Sequence, residues 1–456
     1  MARTSVAIVF AGSGGAGAMT AGTVLLRAAA HAGYYGLMTQ LFGPQVRGGE
    51  AAALVQIATE PIEAQPNRFD LFVVLDWEKV DQFSAEIPLD SASAILADPA
   101  AGAVPASVAK SKARVVALAM NDPHASRLER GLSGRRTNMF AAGVVTALIG
   151  IEQRHLQAAI DAVLADKGEE TIAANRAGAA SGIEAAAGLA LNLRLDPPRP
   201  AARWLISGNQ ALALGALRGG VRFVGCYPIT PATDLVEWLA PEIRKLGGRL
   251  VQAEDELAAI NMTLGASYGG TPAMAVTSGP GMSLMGETLG LAVAAEVPAV
   301  IVDVMRAGPS TGIASKTEQS DVNIAIYGGH GDAPRVVLAP TSITDCLNTA
   351  EYAVYVAESL QTPVVVLSDQ ALGQAYAVID PSGNRPKPLK RRTNGAPPGT
   401  PLFKRYAVDG DPLTAMPLPG TPGYQWVAEG LTHNEIGLPA SGAGTVSYTH
   451  LTLPTN

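Results

Sequence analysis

Four short segments hold most of the side chains in this sequence that could do chemistry. They are Tyr227-Pro228-Ile229-Thr230-Pro231, Gln252-Ala253-Glu254-Asp255-Glu256, Thr277-Ser278-Gly279-Pro280-Gly281 and Arg306-Ala307-Gly308-Pro309-Ser310-Thr311-Gly312. Arginine presents a fixed two-pronged donor to a substrate carboxylate; its plainer explanation, when buried, is a salt bridge. A glutamate such as Glu254, held in an apolar cleft, has a raised pKa and can share a proton near neutral pH. The plainer explanation here is the helix dipole, a role Asp255 and Glu256 would share. Two prolines stiffen the first segment, which also reads as a strand-to-helix turn with Thr230 or Thr233 as N-cap. The Thr277–Gly281 loop follows a strand, where ligands collect in open α/β sheets, and it doubles as a tight turn.

The elements that must position these residues are legible in the hydrophobic pattern. Over the first ~190 residues, short β-branched runs alternate with alanine-rich helical stretches, the pattern of a parallel α/β sheet. Ser5 to Ala11, Leu71 to Leu75 and Ala113 to Leu118 read as strands, and Ala18 to His31 as a helix. Gly36 to Gln40 reads as the second strand, and Gly143 to Leu193 as mostly helical. A second α/β unit follows the proline-rich stretch Leu195–Pro200. Its strands are Phe223 to Gly225, Ala273 to Thr277, Ala299 to Val304 and Thr362 to Leu367, continuous and apolar as in parallel sheets. Ala211 to Leu217 and Ala253 to Leu264 read as its helices. The expected domains are therefore 1–194, a linker at 195–203, 204–375, a Pro/Gly-rich connector and the start of a truncated domain at 376–446, and a non-native tail at 447–456. The basic cluster Arg385, Lys387, Lys390, Arg391 and Arg392 reads as a solvated connector.

Composition narrows the function classes. A chain of 456 residues, 48% hydrophobic and only 16% charged, has the size and apolar content for two or three cored domains. A formal net charge of −7 gives nucleic acid no support. The two cysteines, Cys226 and Cys346, cannot ligate an iron–sulfur cluster alone and read as reduced thiols. The crowd of glycines after Ala11 argues against a secretion signal. The most hydrophobic region, Leu289 to Val304, is broken by Glu296, Pro298 and Asp303, so no bilayer span is expected. A cytoplasmic location is the expectation.

Gly12-x-Gly-Gly15-x-Gly17, after a strand and before a helix, could hold a dinucleotide pyrophosphate at the helix N-terminus. That fold also requires an acidic residue about 20 positions on, and the first acidic residue of the chain is Glu50. Nicotinamide binding thus lacks its partner residue. A different pattern includes what lies downstream: the glycine turn, Gly22, then Phe42-Gly43-Pro44-Gln45-Val46-Arg47-Gly48-Gly49-Glu50, then Asn138-Met139-x-x-x-Gly143. This set resembles the gamma subunit or domain of 2-oxoacid:ferredoxin oxidoreductases, departing from it at Ala16, where the family prefers glutamine. Arg47 reads as a turn-stabilising residue first and an anion contact second.

The four later segments, in their order and spacing, resemble the thiamine-pyrimidine domain of the same family. The fold class implied is α/β: a Rossmann-like gamma domain followed by a thiamine-diphosphate pyrimidine-type parallel α/β domain. The chain as a whole resembles a fused gamma–alpha subunit, C-terminally truncated, of the 2-oxoglutarate type. The resemblance implies oxidative decarboxylation of a 2-oxo acid with coenzyme A, giving acyl-CoA, carbon dioxide and reduced ferredoxin. It implies Glu254 at N1′ of the aminopyrimidine and Thr230 and Arg306 on the substrate. Tyr227, Pro228, Ser278 and Gly279 would lie around the cofactor. His330 matches a family pattern with no catalytic role and reads as a loop histidine. Mg²⁺ would be shared with a separate beta subunit, which would supply the diphosphate site and a [4Fe-4S] cluster; this chain would ligate no metal. Partners implied are that beta subunit, in an αβ or α2β2 hetero-oligomer, and ferredoxin, with no membrane and no nucleic acid. Pyruvate and branched-chain 2-oxo acids stay open as substrates. A nicotinamide-dependent oxidoreductase and a non-catalytic scaffold subunit are the other classes.

Overall fold

The computed structural model describes residues 3–43, 49–120, 127–382, 391–393, 403–407 and 413–440. Arg47, Arg385, Lys387, Lys390 and the tail 447–456 lie outside the described residues. Fourteen strands run through the described residues. They are β1 (Ser5–Ser13), β2 (Tyr35–Phe42), β3 (Glu50–Ala58), β4 (Leu71–Val74), β5 (Ala94–Ala97), β6 (Arg114–Ala117), β7 (Trp204–Ser207), β8 (Phe223–Cys226), β9 (Arg249–Gln252), β10 (Ala273–Thr277), β11 (Ala299–Met305), β12 (Val336–Leu338), β13 (Pro363–Asp369) and β14 (Tyr376–Ile379). They divide between two compact units: Met1–Ser207 with Gln374–Gly383, and Gly208–Gly373 with Asn384–Asn456. None of the described helices is long and apolar enough to cross a membrane.

The first unit is built on an eight-stranded sheet in the order β6-β5-β4-β1-β3-β2-β14-β7. Along β1, Val6, Ile8 and Phe10 face one buried cluster while Ala7, Val9 and Ala11 face another, so both sides of the strand are covered. That is why the run is apolar throughout rather than alternating. The wholly parallel sheet expected from the sequence is corrected here: β1, β4, β5 and β6 are parallel, but β3 runs antiparallel to both β1 and β2. Chain length dictates the reversal. Only residues 43–49 separate β2 from β3, and a parallel crossover takes about a dozen residues or more. Strands β7 and β14, which the pattern did not reveal, pair antiparallel to one another at the far side of this sheet. In the glycine turn, the Ser13 amide and hydroxyl both donate to the Asp76 carboxylate, at 3.0 and 2.8 Å. A fixed anion therefore stands where a dinucleotide pyrophosphate would approach. Gly22 allows helix Ala18–Ala32 to lie close on the sheet; a Cβ there would come within 2.5 Å of the Ala53 methyl.

The second unit carries a six-stranded sheet in the order β12-β13-β11-β10-β8-β9, with every pair parallel. From β8 the chain moves outward to β9, then returns to β10 on the opposite side of β8 and continues away. The strand order therefore reverses between β8 and β10. Ala275, Ile301 and Val365 form the buried floor of one face, packed by Ile260, Met282, Met285 and Leu289 from the covering helices.

Of the basic cluster, Arg391 and Arg392 are described; Arg392 is exposed, as in a solvated connector, but Arg391 is not. Arg391 is buried and forks onto the buried Glu358, with Nε and Nη2 each 3.0 Å from a carboxylate oxygen. Its remaining donors reach the carbonyl and hydroxyl of Ser267. Arg405 is fully buried as well, paired with Glu296 at 2.8 Å and lying over the rings of Tyr406 and Trp426. Low-dielectric burial of a cation demands such partners, and the two carboxylates come from 33 and 109 positions away, beyond the reach of local pattern reading.

Candidate active site

The parallel sheet of the second unit brings the four chemical segments to one edge. Tyr227 follows the last residue of β8, Glu254 lies two residues after β9, Ser278 follows β10 and Arg306 follows β11. Since β9, β8, β10 and β11 are consecutive neighbours, all four residues stand along the C-terminal edge, astride the reversal of strand order. In open α/β sheets that crevice is where ligands bind.

Arg306 is buried, and it forms no salt bridge among the described residues. Its Nη1 donates to the carbonyl of Thr230 and its Nη2 to the carbonyl of Thr311, both at 2.6 Å. Its Nε has no hydrogen-bond partner among the described residues. Burial holds its pKa below the ordinary arginine value, opposed by the nearby Asp321 charge. The segment after it folds back as a loop: the Ala307 amide donates to Lys316, and the Gly308 amide donates to the Glu318 carboxylate at 3.0 Å. With Gly279, Ser283, Ser320 and Asp321, this loop lines a cavity of about 660 Å³.

Thr230 and Thr233 do not cap the helix that follows them. Helix Thr233–Lys245 has Ala232 at its N-cap, with no side-chain cap bond. Tyr227, Pro228 and Thr230 are instead exposed, and the Thr230 carbonyl is held by Arg306. The acidic triplet also resolves differently from a shared dipole role. Helix Glu256–Tyr268 starts two residues later than Glu254, Asp255 caps it by accepting from the Ala258 amide at 2.7 Å, and Glu256 is buried. Glu254 precedes the helix and is exposed, so no apolar cleft of this chain encloses it. Ser278 is fully buried with its Oγ unpartnered, and Gly279 opens helix Gly279–Leu284 beneath the cavity. His330 is exposed in its loop. Cys226 and Cys346 are both free and buried; burial pushes the Cys226 thiol up to about 11.

A family profile described as pyruvate flavodoxin/ferredoxin oxidoreductase, thiamine diphosphate-binding, matches residues 214–444, and a second, pyruvate ferredoxin/flavodoxin oxidoreductase, matches residues 7–185. The fold superposes on the 2-oxoglutarate:ferredoxin oxidoreductase of Magnetococcus marinus, solved with 2-oxoglutarate, coenzyme A and succinyl-CoA bound. The TM-score is 0.87 at 35% identity, over 98% of this chain and 77% of that one. The chain belongs to the 2-oxoacid:ferredoxin oxidoreductase family. Among curated members, the 2-oxoglutarate oxidoreductase subunit KorA of Mycobacterium tuberculosis is 39% identical over 326 residues, 69% of this chain and 48% of that protein. The 2-oxoglutarate synthase subunit KorA of Methanothermobacter marburgensis is 42% identical over 236 residues, 52% of this chain and 62% of that one. The chain thus spans about half to three fifths of the length of these curated relatives.

Two acids at the edge of this family site were given no role by the sequence analysis. Asp303 on β11 is fully buried, and neither carboxyl oxygen has a partner among the described residues. Burial, reinforced by the Asp321 charge, lifts its pKa well above the ordinary 3.8. Asp321 lines the cavity half-buried, its pKa raised by burial, which outweighs the opposing hydrogen bond from Ser320. Its carboxylate lies against Gly279, where a Cβ would come within 2.6 Å of both oxygens. Asp303 interrupts an apolar run and Asp321 ends a polar one, and neither pattern reveals what the fold places against it.

Proposed function

We propose that this chain is the gamma–alpha subunit of a thiamine-dependent 2-oxoacid:ferredoxin oxidoreductase, acting on 2-oxoglutarate. The balanced reaction takes the 2-oxo acid, coenzyme A and two oxidised ferredoxins to succinyl-CoA, carbon dioxide, a proton and two reduced ferredoxins. The observation that carries this reading is the alignment of Glu254, Tyr227, Ser278 and Arg306 along one C-terminal sheet edge, at the point where strand order reverses. The family membership and the 2-oxoglutarate enzymes among its relatives support the substrate.

Thiamine diphosphate, when bound, supplies a nucleophilic carbon and a temporary store for the electrons released by decarboxylation. The residues present fit its aminopyrimidine: Ser278 offers an unpartnered buried hydroxyl beside a glycine-opened helix start, and Glu254 offers a carboxylate at the same edge. Glu254 holds a proton at N1′. Its exposure in the isolated chain matches a site completed by a second subunit. Tyr227 and Pro228 flank the ring. Arg306 keeps N–H donors to spare beyond the two carbonyls it binds, and these orient the substrate carboxylate for departure while the Thr230 hydroxyl holds the 2-oxo group. The beta subunit contributes the diphosphate and Mg²⁺ site and the [4Fe-4S] cluster, in a cytoplasmic hetero-oligomer that reduces ferredoxin.

The test is anaerobic, coenzyme A-dependent reduction of ferredoxin by this chain assembled with its beta subunit, comparing 2-oxoglutarate with pyruvate. A kcat/KM at least about tenfold higher for 2-oxoglutarate is the expected result. Preference for pyruvate would overturn the substrate, and reduction of NAD in place of ferredoxin would overturn the reaction.

A further inference from the structure

The segment carrying Thr230 is held by two buried side chains from distant elements. Arg306 donates to the carbonyl of Thr230. Asn209, on helix Gly208–Gly219, donates through Nδ2 to the next carbonyl, that of Pro231, at 3.0 Å. Asn209 is completely buried, and the bond spans 22 positions of sequence. Its Oδ1 has no hydrogen-bond partner among the described residues and faces Gly373, where a Cβ would come within 2.7 Å of it. A carboxamide kept so far from water, with one end orphaned and the other committed to a loop carbonyl, is costly unless that loop needs fixing. Thr230 itself is exposed, so its own packing does not fix it.

We propose that Asn209 is a positioning residue for the 2-oxo acid reaction. By gripping the Pro231 carbonyl while Arg306 grips that of Thr230, it fixes the two consecutive peptide groups that follow the Thr230 Cα, and so sets the direction of the Thr230 hydroxyl. It touches neither substrate nor cofactor and acts only through Thr230. This rests on the functional reading above. Gly373 belongs to the same device, because any side chain there would push Asn209 off its carbonyl.

A kinetic cycle on the assembled complex tests this. Asn209→Ala should lower kcat/KM for 2-oxoglutarate by about ten- to a hundredfold, the scale of a misplaced reacting group, with KM for coenzyme A unchanged. In a Thr230→Ala background the same substitution should cost less than about threefold, since residues acting through one another are not additive. Gly373→Ala should reproduce the Asn209→Ala profile, and Asn209→Asp, which keeps the size, replaces the alanine variant if that one fails to assemble. A merely structural role would lower active-enzyme yield with KM for 2-oxoglutarate intact, and would persist undiminished in the Thr230→Ala background; either result overturns the inference alone. An inactive wild-type complex would overturn the functional reading, and the inference with it.

Discussion

Arg306 joins two loops, since the carbonyls of Thr230 and Thr311 both end on its guanidinium. A lysine keeps the charge but cannot span two diverging acceptors with a planar fork. With hydrogen bonds to a charged group contributing about 1.5–3 kcal/mol each, Arg306→Lys should lower kcat/KM for the 2-oxo acid at least about tenfold in steady-state assays. Asp303 makes a prediction of the opposite kind. Its pKa is raised in the folded chain, so the folded state binds more protons than the unfolded one above the ordinary carboxylate range. The stability this group contributes is therefore full below about pH 4 and declines as pH rises toward its folded value. Asp303→Asn should raise Tm at neutral pH and flatten its dependence on pH, which thermal melts from pH 5 to pH 8, roughly, would detect. These two residues also mark what was legible. Arg306 stands in a glycine- and proline-rich loop after a strand, a local pattern that marks a site. Asp303 sits inside an apolar run and Asn209 at the start of a helix, and their significance lies in partners, or missing partners, that only the fold brings near.

Elements were legible to the extent that their hydrophobic runs were long and their ends marked. β10 and β11 are bounded by glycine and proline and were expected within a residue of their observed positions. β3 was missed because Glu-Ala-Ala-Ala-Leu-Val suits a helix as well as a strand. Its antiparallel pairing follows from a connection too short for a crossover. Helix Glu256–Tyr268 starts later than the pattern implied, because Asp255 caps it and excludes Glu254. Asp255→Ala should therefore destabilise the second unit by about 1 kcal/mol in urea denaturation. Gly279 opens the next helix against the Asp321 carboxylate. Gly279→Ala must displace that carboxylate and should cost about 1–3 kcal/mol, read by the same denaturation.

At the scale of the whole molecule, two α/β units were apparent in the sequence, and the role of residues 391–440 was not. Prolines and basic residues in that stretch signal solvent exposure, yet Arg391 and Arg405 are among its buried side chains. The Arg391–Glu358 fork predicts that Arg391→Met alone leaves a buried carboxylate unpaired and destabilises the unit by about 3–5 kcal/mol. The double variant Arg391→Met/Glu358→Leu should recover most of that loss in chemical denaturation. The central claim, that the C-terminal edge of the second sheet is half of a thiamine-dependent active site, meets its most direct test at Glu254. Because the side chain is exposed in the isolated chain, Glu254→Gln should leave its folding intact. The measurement is coenzyme A-dependent ferredoxin reduction with 2-oxoglutarate by the assembled complex, wild type against Glu254→Gln. A fall of at least about a hundredfold, in keeping with loss of a positioned acid–base group, is the predicted result. Undiminished activity in the glutamine variant would contradict the account.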